Sequence, residues 1–214
     1  MAKGKFIVID GTDSGKTQTK LLIERLQDNY AVELADFPQY GKRSAMMVED
    51  YLNGNFGTAQ EVGPYRASVL YAVDRYAASF DIKKWLDEKI VIANRYVSSN
   101  MHQAGKIKDL HERDKFLKWL EEFEYLFDIP RPDKNILLYM PTEIGQGLVD
   151  KKHRDYVKKR DIHEVDLQHL KDAAEAYKYV AKKYDRIIID SAPNKLQSID
   201  EISEKIWIEI EKII

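Results

Sequence analysis

The run Gly11-Thr12-Asp13-Ser14-Gly15-Lys16-Thr17 brings two glycines, a carboxylate, an ammonium and a hydroxyl together near the start of the chain. Glycines let a turn approach an anion closely, and the N–H groups that open a helix carry partial positive charge. The chemistry implied is phosphate binding, with Lys16 on the outer phosphates and the Thr17 hydroxyl on Mg²⁺. The usual spacing puts four residues between the first glycine and Gly-Lys. Here Thr12, Asp13 and Ser14 alone separate Gly11 from Gly15. The competing interpretation is a strand–turn–helix in which the glycines merely allow a tight turn.

Three further stretches carry polar groups suited to a site. Asn94-Arg95-Tyr96-Val97-Ser98-Ser99-Asn100 follows an apolar strand and holds one fixed cation. A guanidinium forks onto two phosphate oxygens and keeps its charge at any working pH, so Arg95 is the candidate for a second phosphate. Phe37-Pro38-Gln39-Tyr40-Gly41-Lys42 breaks regular structure just after a strand, where ligand loops lie in open parallel sheets. Lys151 to Arg160 is dense in positive charge. Such a run is usually a solvated face, but beside a phosphate loop a lid over ATP is the better explanation. The five histidines have no metal-ligand spacing.

The elements that must position these groups follow from apolar patterning. Phe6 to Ile9 is an uninterrupted apolar run, hence a strand buried on both faces. Further strands are predicted at 31–36, 89–93, 135–140 and 186–190. Helices are predicted at 21–28, 45–52, 64–85, 111–127 and 199–214, with one starting at 143–150 and a long one within 161–184. On the 64–85 helix, Val69, Ala72, Val73, Tyr76 and Phe80 fall on or near one face. Pro130 and Pro132 end the 111–127 helix. Strands alternating with helices imply an α/β fold: a three-layer, five-stranded parallel sheet with helices on both faces. No repeat or linker divides the chain, so residues 1–214 read as one domain with a lid at about 150–162. The glycine spacing is not G-x-G-x-x-G, which argues against a dinucleotide oxidoreductase.

Composition narrows the class. At 214 residues, 44% hydrophobic and 33% charged, the chain can bury a sizeable core as a soluble protein. A net charge of −2 supplies no global field toward nucleic acid or an anionic membrane. The absence of cysteine excludes disulfides and thiolate metal sites and suits a reducing, cytoplasmic compartment. The first strand begins almost at once, with no signal peptide expected. No apolar run approaches the ~20 residues of a membrane span.

Taken together, these segments resemble the thymidylate kinase family. The resemblance rests on the loop ending in Gly15-Lys16-Thr17, Phe37-Pro38-x-Tyr40, Tyr71-Ala72-x-x-Arg75, Arg95-Tyr96-x-x-Ser99-Asn100, Pro130-x-Pro132-Asp133, and the basic segment followed by Glu164. It implies a P-loop NTPase-type nucleoside monophosphate kinase that phosphorylates dTMP from MgATP, acting as a homodimer on small-molecule nucleotides. It implies ATP binding by Gly11, Thr12, Asp13, Ser14, Gly15, Lys16 and Thr17. Asp13 would lie near the sugar 3′-hydroxyl and the acceptor phosphate. Phe37 and Tyr40 would flank the deoxyribose and 5′-phosphate. Tyr71 would stack on thymine, Arg75 would bond the base carbonyl, Arg95 would hold the acceptor phosphate, and Asn100 would read the base edge with Ser99 and Gln103 nearby. With no arginine between Asp13 and Lys16, the catalytic arginine would come from the lid, as Arg154 or Arg160. Two departures stand out: the phosphate loop is one residue short, and Asn94 occupies the position where the family usually has Asp. They motivate one competing assignment, a non-catalytic nucleotide-binding protein. A deoxynucleoside kinase is the other, though its hydroxyl acceptor would want a carboxylate base beside the sugar.

Overall fold

The structure, a computed structural model, describes residues 4–11, 15–142, 144–145, 167–184 and 186–214. Five strands form one parallel sheet: β1 (Phe6–Gly11), β2 (Val32–Asp36), β3 (Ile90–Asn94), β4 (Lys134–Tyr139) and β5 (Ile187–Asp190), in the order β2-β3-β1-β4-β5. The helices among the described residues are α1 (Gly15–Gln27), α2 (Met46–Leu52), α3 (Ala59–Trp85), α4 (Val97–Asn100), α5 (Leu110–Leu126), α6 (Leu167–Lys183) and α7 (Ile199–Ile210).

Side-chain alternation along β1 explains the three layers. Ile7 and Ile9 point to one face, where Leu22 and Leu26 of α1 and Ile202, Ile206 and Ile210 of α7 cover them. Phe6 and Val8 point to the other face, onto Ala78 and Ile82 of α3 and the Tyr96 ring. Both faces are therefore dry, which is why the strand reads as a continuous apolar run. Each such side chain, fully buried, contributes roughly 1.5–3 kcal/mol.

The strand order sets where a ligand can sit. From β1 the chain crosses to β2 on one side; after β3 it crosses to β4 on the other. The carboxyl ends of β1 and β3 thus form the point where connections diverge, the usual crevice of open α/β sheets. Ile9 pairs with Asn94, so the carboxyl end of β1 and the bend after β3 are neighbours.

The predicted strands and most predicted helices form, with three differences. A short helical turn at 59–62, capped reciprocally by Thr58 and Glu61, precedes the predicted helix and is set off from it by non-helical Gly63, at φ 74°, just before Pro64. The segment after Asn100, which carried no predicted element, is a 3-10 helix (Met101–Lys106), largely buried against α6. On α3, Ala72 is buried, but Val69, Val73, Tyr76 and Phe80 face outward, with Phe80 62% exposed. The helix start predicted at 143–150 and the basic lid at 150–162 lie outside the described residues, apart from residues 144–145.

Gly105 decides how closely the 3-10 segment meets α6. A Cβ there would lie 2.3 Å from the Asp172 carbonyl oxygen and 2.5 Å from its carbon. Both atoms belong to backbone and cannot swing aside. Gly105→Ala should lower unfolding stability by about 1–3 kcal/mol in urea titrations. An unchanged midpoint would mean that the two segments separate without cost.

Candidate active site

One backbone and one side chain crowd the glycines on either side of residues 12–14. A Cβ on Gly11 would stand 2.6 Å from the Leu138 carbonyl oxygen, and one on Gly15 would stand 2.9 Å from Asn94 Oδ1. The glycines therefore serve close approach to β4 and to the end of β3, beyond permitting a turn. Thr12, Asp13 and Ser14 lie outside the described residues. Lys16 and Thr17 are exposed on the first turn of α1, where the helix's unpaired N–H groups gather. Lys16 Nζ lies 3.4 Å from Asp36 Oδ2, with the lysine side chain 69% exposed. An ion pair this open to water holds Lys16 only weakly and leaves it available to a phosphate. Asn94 Nδ2 donates to Asp36 Oδ1 at 2.6 Å, across the paired ends of β2 and β3.

Arg95 follows immediately. Its backbone is left-handed, at φ 65°, and its N–H donates to the Ile9 carbonyl at 2.9 Å. For a residue with a Cβ that conformation costs about 1–3 kcal/mol and persists only where its surroundings impose it. Here the next side chain imposes it. Tyr96 is buried, with its ring 5.0 Å from Phe6 and 5.7 Å from Phe37, and its hydroxyl donates to the Pro130 carbonyl at 3.0 Å. Burial pushes the Tyr96 phenol well above its ordinary range, so it stays neutral. The chain kinks at Arg95 to sink that ring, and Arg95 is left half-buried among fully buried neighbours.

Asp10 fixes the same bend from below. Fully buried, it accepts from Ser98 Oγ at 2.6 Å, Ser99 Oγ at 2.5 Å and the Gly11 N–H at 2.9 Å. Asn135 Nδ2 donates to Ser98 Oγ at 2.7 Å and extends the network to β4. A carboxylate taken out of water is tolerated only when so many donors meet it. Ser99, expected beside the base, gives its hydroxyl to Asp10.

The expected base-reading groups gather on the far side of the bend. Arg75 is 1% exposed. Its Nε donates to Glu124 Oε2 at 3.0 Å, its Nη2 to Glu124 Oε1, and its Nη1 to the Tyr96 carbonyl at 3.4 Å. Burial opposes the guanidinium's charge, but Glu124 outweighs it and holds Arg75 above its ordinary value. Asn100 Nδ2 donates to Glu124 Oε1 and to the Ser68 carbonyl, each at 3.1 Å. Tyr71, one turn before Arg75, is half-buried with its ring edge-on to Tyr51 at 6.2 Å. Gln103 is fully buried, with Nε2 2.9 Å from a His102 ring nitrogen.

The 37–44 loop is anchored rather than open. Phe37, expected beside a sugar, lies in the core cluster with Tyr96 and is 3% exposed. The Phe37–Pro38 peptide is cis. Asp74 of α3 accepts from the Gln39 N–H at 2.8 Å and from Ser44 Oγ at 2.6 Å. Tyr40, beyond that anchor, is 55% exposed. Gly11, Gly15, Lys16, Thr17 and Arg95 thus lie along the adjoining ends of β1 and β3, and Arg75 and Asn100 converge on one carboxylate. Arg154 and Arg160 lie outside the described residues. Asp10, Asp36, Asp74 and Glu124 were missed in the sequence. Asp10 did carry a signal, as an acid closing an otherwise apolar strand; Glu124 and Asp74 are acids on helices with no local mark of burial.

A parallel sheet whose central strand ends at Gly11, a helix that starts at Gly15 with Lys and Thr in its first turn, and an arginine at the neighbouring strand's end define a P-loop type α/β protein. The fold matches a solved thymidylate kinase from Candida albicans with TM-score 0.75 at 20% identity, covering 99% of this chain and 93% of that one. Among curated relatives, a probable thymidylate kinase of Methanocaldococcus jannaschii is 27% identical over 209 residues, spanning 96% of this chain and 95% of the relative. A probable thymidylate kinase 1 of Saccharolobus solfataricus is 23% identical over 199 residues, 92% and 94% of the two chains. The thymidylate kinase family model matches residues 9–206, and the chain belongs to that family.

Asp74 gives the site a direct test. Asp74→Ala should free the Gln39 amide and raise its hydrogen-exchange rate at least tenfold, a loss of about 1.4 kcal/mol or more of protection. Unchanged protection across residues 37–44 would show that the buried Phe37 ring holds the loop without Asp74.

Proposed function

We propose that this chain transfers the γ-phosphoryl group of ATP to dTMP, giving dTDP and ADP, as one domain with a basic lid at about 150–162. Family membership supports the reaction; the division of labour among residues follows the family resemblance, with the geometry of the described residues beside it. The observation that carries it is the strained Arg95 backbone, anchored to Ile9 beside the opening turn. Strain kept at a strand end next to a phosphate loop is what a fixed cation for a second phosphate requires.

The acceptor is already an anion, so no strong base is needed. The difficulty is aligning two highly charged phosphates, and catalysis is positioning plus charge neutralisation. Gly11 to Thr17, with Thr12, Asp13 and Ser14, hold the ATP phosphates, and Lys16 leaves Asp36 to meet the outer ones. Arg95 holds the dTMP phosphate with Asp13 nearby, and Arg154 or Arg160 of the lid covers the transferring group. Tyr71, Arg75 and Asn100 take the base, with Ser99 and Gln103 behind them and Phe37 and Tyr40 on the sugar side.

Mg²⁺ suits the residues present. Among the described residues no three carboxylate or imidazole groups converge into a cage. A single exposed Thr17 hydroxyl fits a small hard cation that keeps its waters and phosphate oxygens. Bound there, Mg²⁺ would neutralise charge on the β- and γ-phosphates.

The partner is a second copy of this chain. Tyr65, Val69, Val73, Tyr76 and Phe80 recur at helical spacing along α3, and all are exposed. A sedimentation mass equal to one chain would exclude the homodimer. The lack of cysteine and the small net charge support a cytoplasmic enzyme of small nucleotides with no nucleic-acid partner.

Arg95→Ala should lower kcat/KM for dTMP by roughly 10³-fold or more while ATP binding survives. A variant with near-native kcat/KM would refute this assignment of the phosphate site.

A further inference from the structure

We infer that Glu124, a buried carboxylate on α5, is a positioning residue that sets base specificity by fixing which way the Asn100 amide faces. The inference rests on Arg75 and Asn100 reading the base, as proposed above. Glu124 is 0% exposed, and Asn100 and Arg75 are each 1% exposed. These side chains are shut off from bulk solvent, so their protein partners decide their orientation.

The Asn100 side chain meets two groups that only accept: Glu124 Oε1 and the Ser68 carbonyl, each 3.1 Å from Nδ2. A carboxylate and a carbonyl can both be served only by the amide nitrogen. The flip of the amide is therefore dictated, and Oδ1 is the atom left over for a ligand. Arg75 is treated likewise. Two of its nitrogens face Glu124 and a third reaches the Tyr96 carbonyl. A guanidinium has five N–H donors and no acceptor, so whatever it still offers is a donor. One carboxylate thus prepares an acceptor on Asn100 and donors on Arg75.

That edge complements a pyrimidine with a protonated N3 and a carbonyl at C4. Asn100 Oδ1 accepts from N3–H, and Arg75 donates to the C4 oxygen. Cytosine reverses both, with a bare N3 acceptor and a C4 amino donor. Acceptor would then face acceptor in a dry site, and the unpaired groups make such mismatches costly. Specificity against cytosine would come from a residue that touches neither base.

Glu124→Gln tests this. Glu124 Oε1 meets both Arg75 Nη2 and Asn100 Nδ2, so glutamine either presents NH₂ to both donors there, which lets the Asn100 amide reverse, or keeps an uncharged oxygen there, which weakens its hold on that amide. KM for dTMP should rise at least tenfold with a smaller change in kcat. The ratio of kcat/KM for dTMP to that for dCMP should fall at least tenfold, and ATP affinity by calorimetry should stay within twofold. Loss of packing alone would weaken both monophosphates together and leave the ratio unmoved. If Glu124→Gln does not fold, Glu124→Asp retains the charge, withdraws it from Asn100, and should lower the ratio at least threefold. Asn100→Ala separates the two layers of the claim. If it alters the dTMP to dCMP ratio while both Glu124 variants leave it intact, the role of Glu124 is overturned. If none of the three alters it, base reading by Asn100 fails, and this inference fails with it.

Discussion

The carboxylate of Asp10 is the joint on which the site is built. It stands at the end of the central strand, wholly out of water, and two serine hydroxyls and a backbone amide satisfy it. A buried charge cannot tolerate loose partners, so the segment carrying Ser98 and Ser99 must lie against β1. That segment begins at the residue whose backbone is forced left-handed. Asp10 below and the buried Tyr96 ring behind leave Arg95 one arrangement, beside the turn that enters α1. The proposed placing of Arg95 beside the start of α1 depends on burying this one acid correctly.

A second buried acid governs the other half. Glu124 arrives from α5, far along the chain, and gathers Arg75 of α3 and Asn100 of α4 around itself. A third, Asp74, holds the 37–44 loop down onto α3. The three acids share a logic. Each sits on a strand or a long helix and gathers donors from other parts of the chain. The pocket's irregular walls are thereby tied to the sheet and helices, which is how a site keeps its geometry without nucleotide present.

Much of this was legible in the sequence, for identifiable reasons. The continuous apolar strands and the Gly15-Lys16-Thr17 turn have local signatures, and the five-stranded parallel sheet follows from their alternation with helices. Arg95 was legible as a fixed cation directly after an apolar strand, whereas its left-handed backbone has no mark there. The buried acids were not, because burial of Glu124 depends on packing between α3, α4 and α5, which no local pattern encodes. The 3-10 segment at Met101–Lys106 escaped because it lacks helical periodicity and owes its place to the close approach of Gly105 to α6. Phe37 shows the opposite limit. Its motif position suggests the sugar side, and no local pattern shows that its ring also packs into the core beside Tyr96.

The pairing of two phosphate grips at the ends of β1 and β3 is best tested by a crystal structure with ADP and dTMP bound together. The dTMP phosphate should lie within hydrogen-bond distance of the Arg95 guanidinium. The β-phosphate of ADP should sit over the first turn of α1, with Lys16 drawn away from Asp36. A dTMP phosphate held elsewhere, with Arg95 making no contact to either nucleotide, would contradict the arrangement outright.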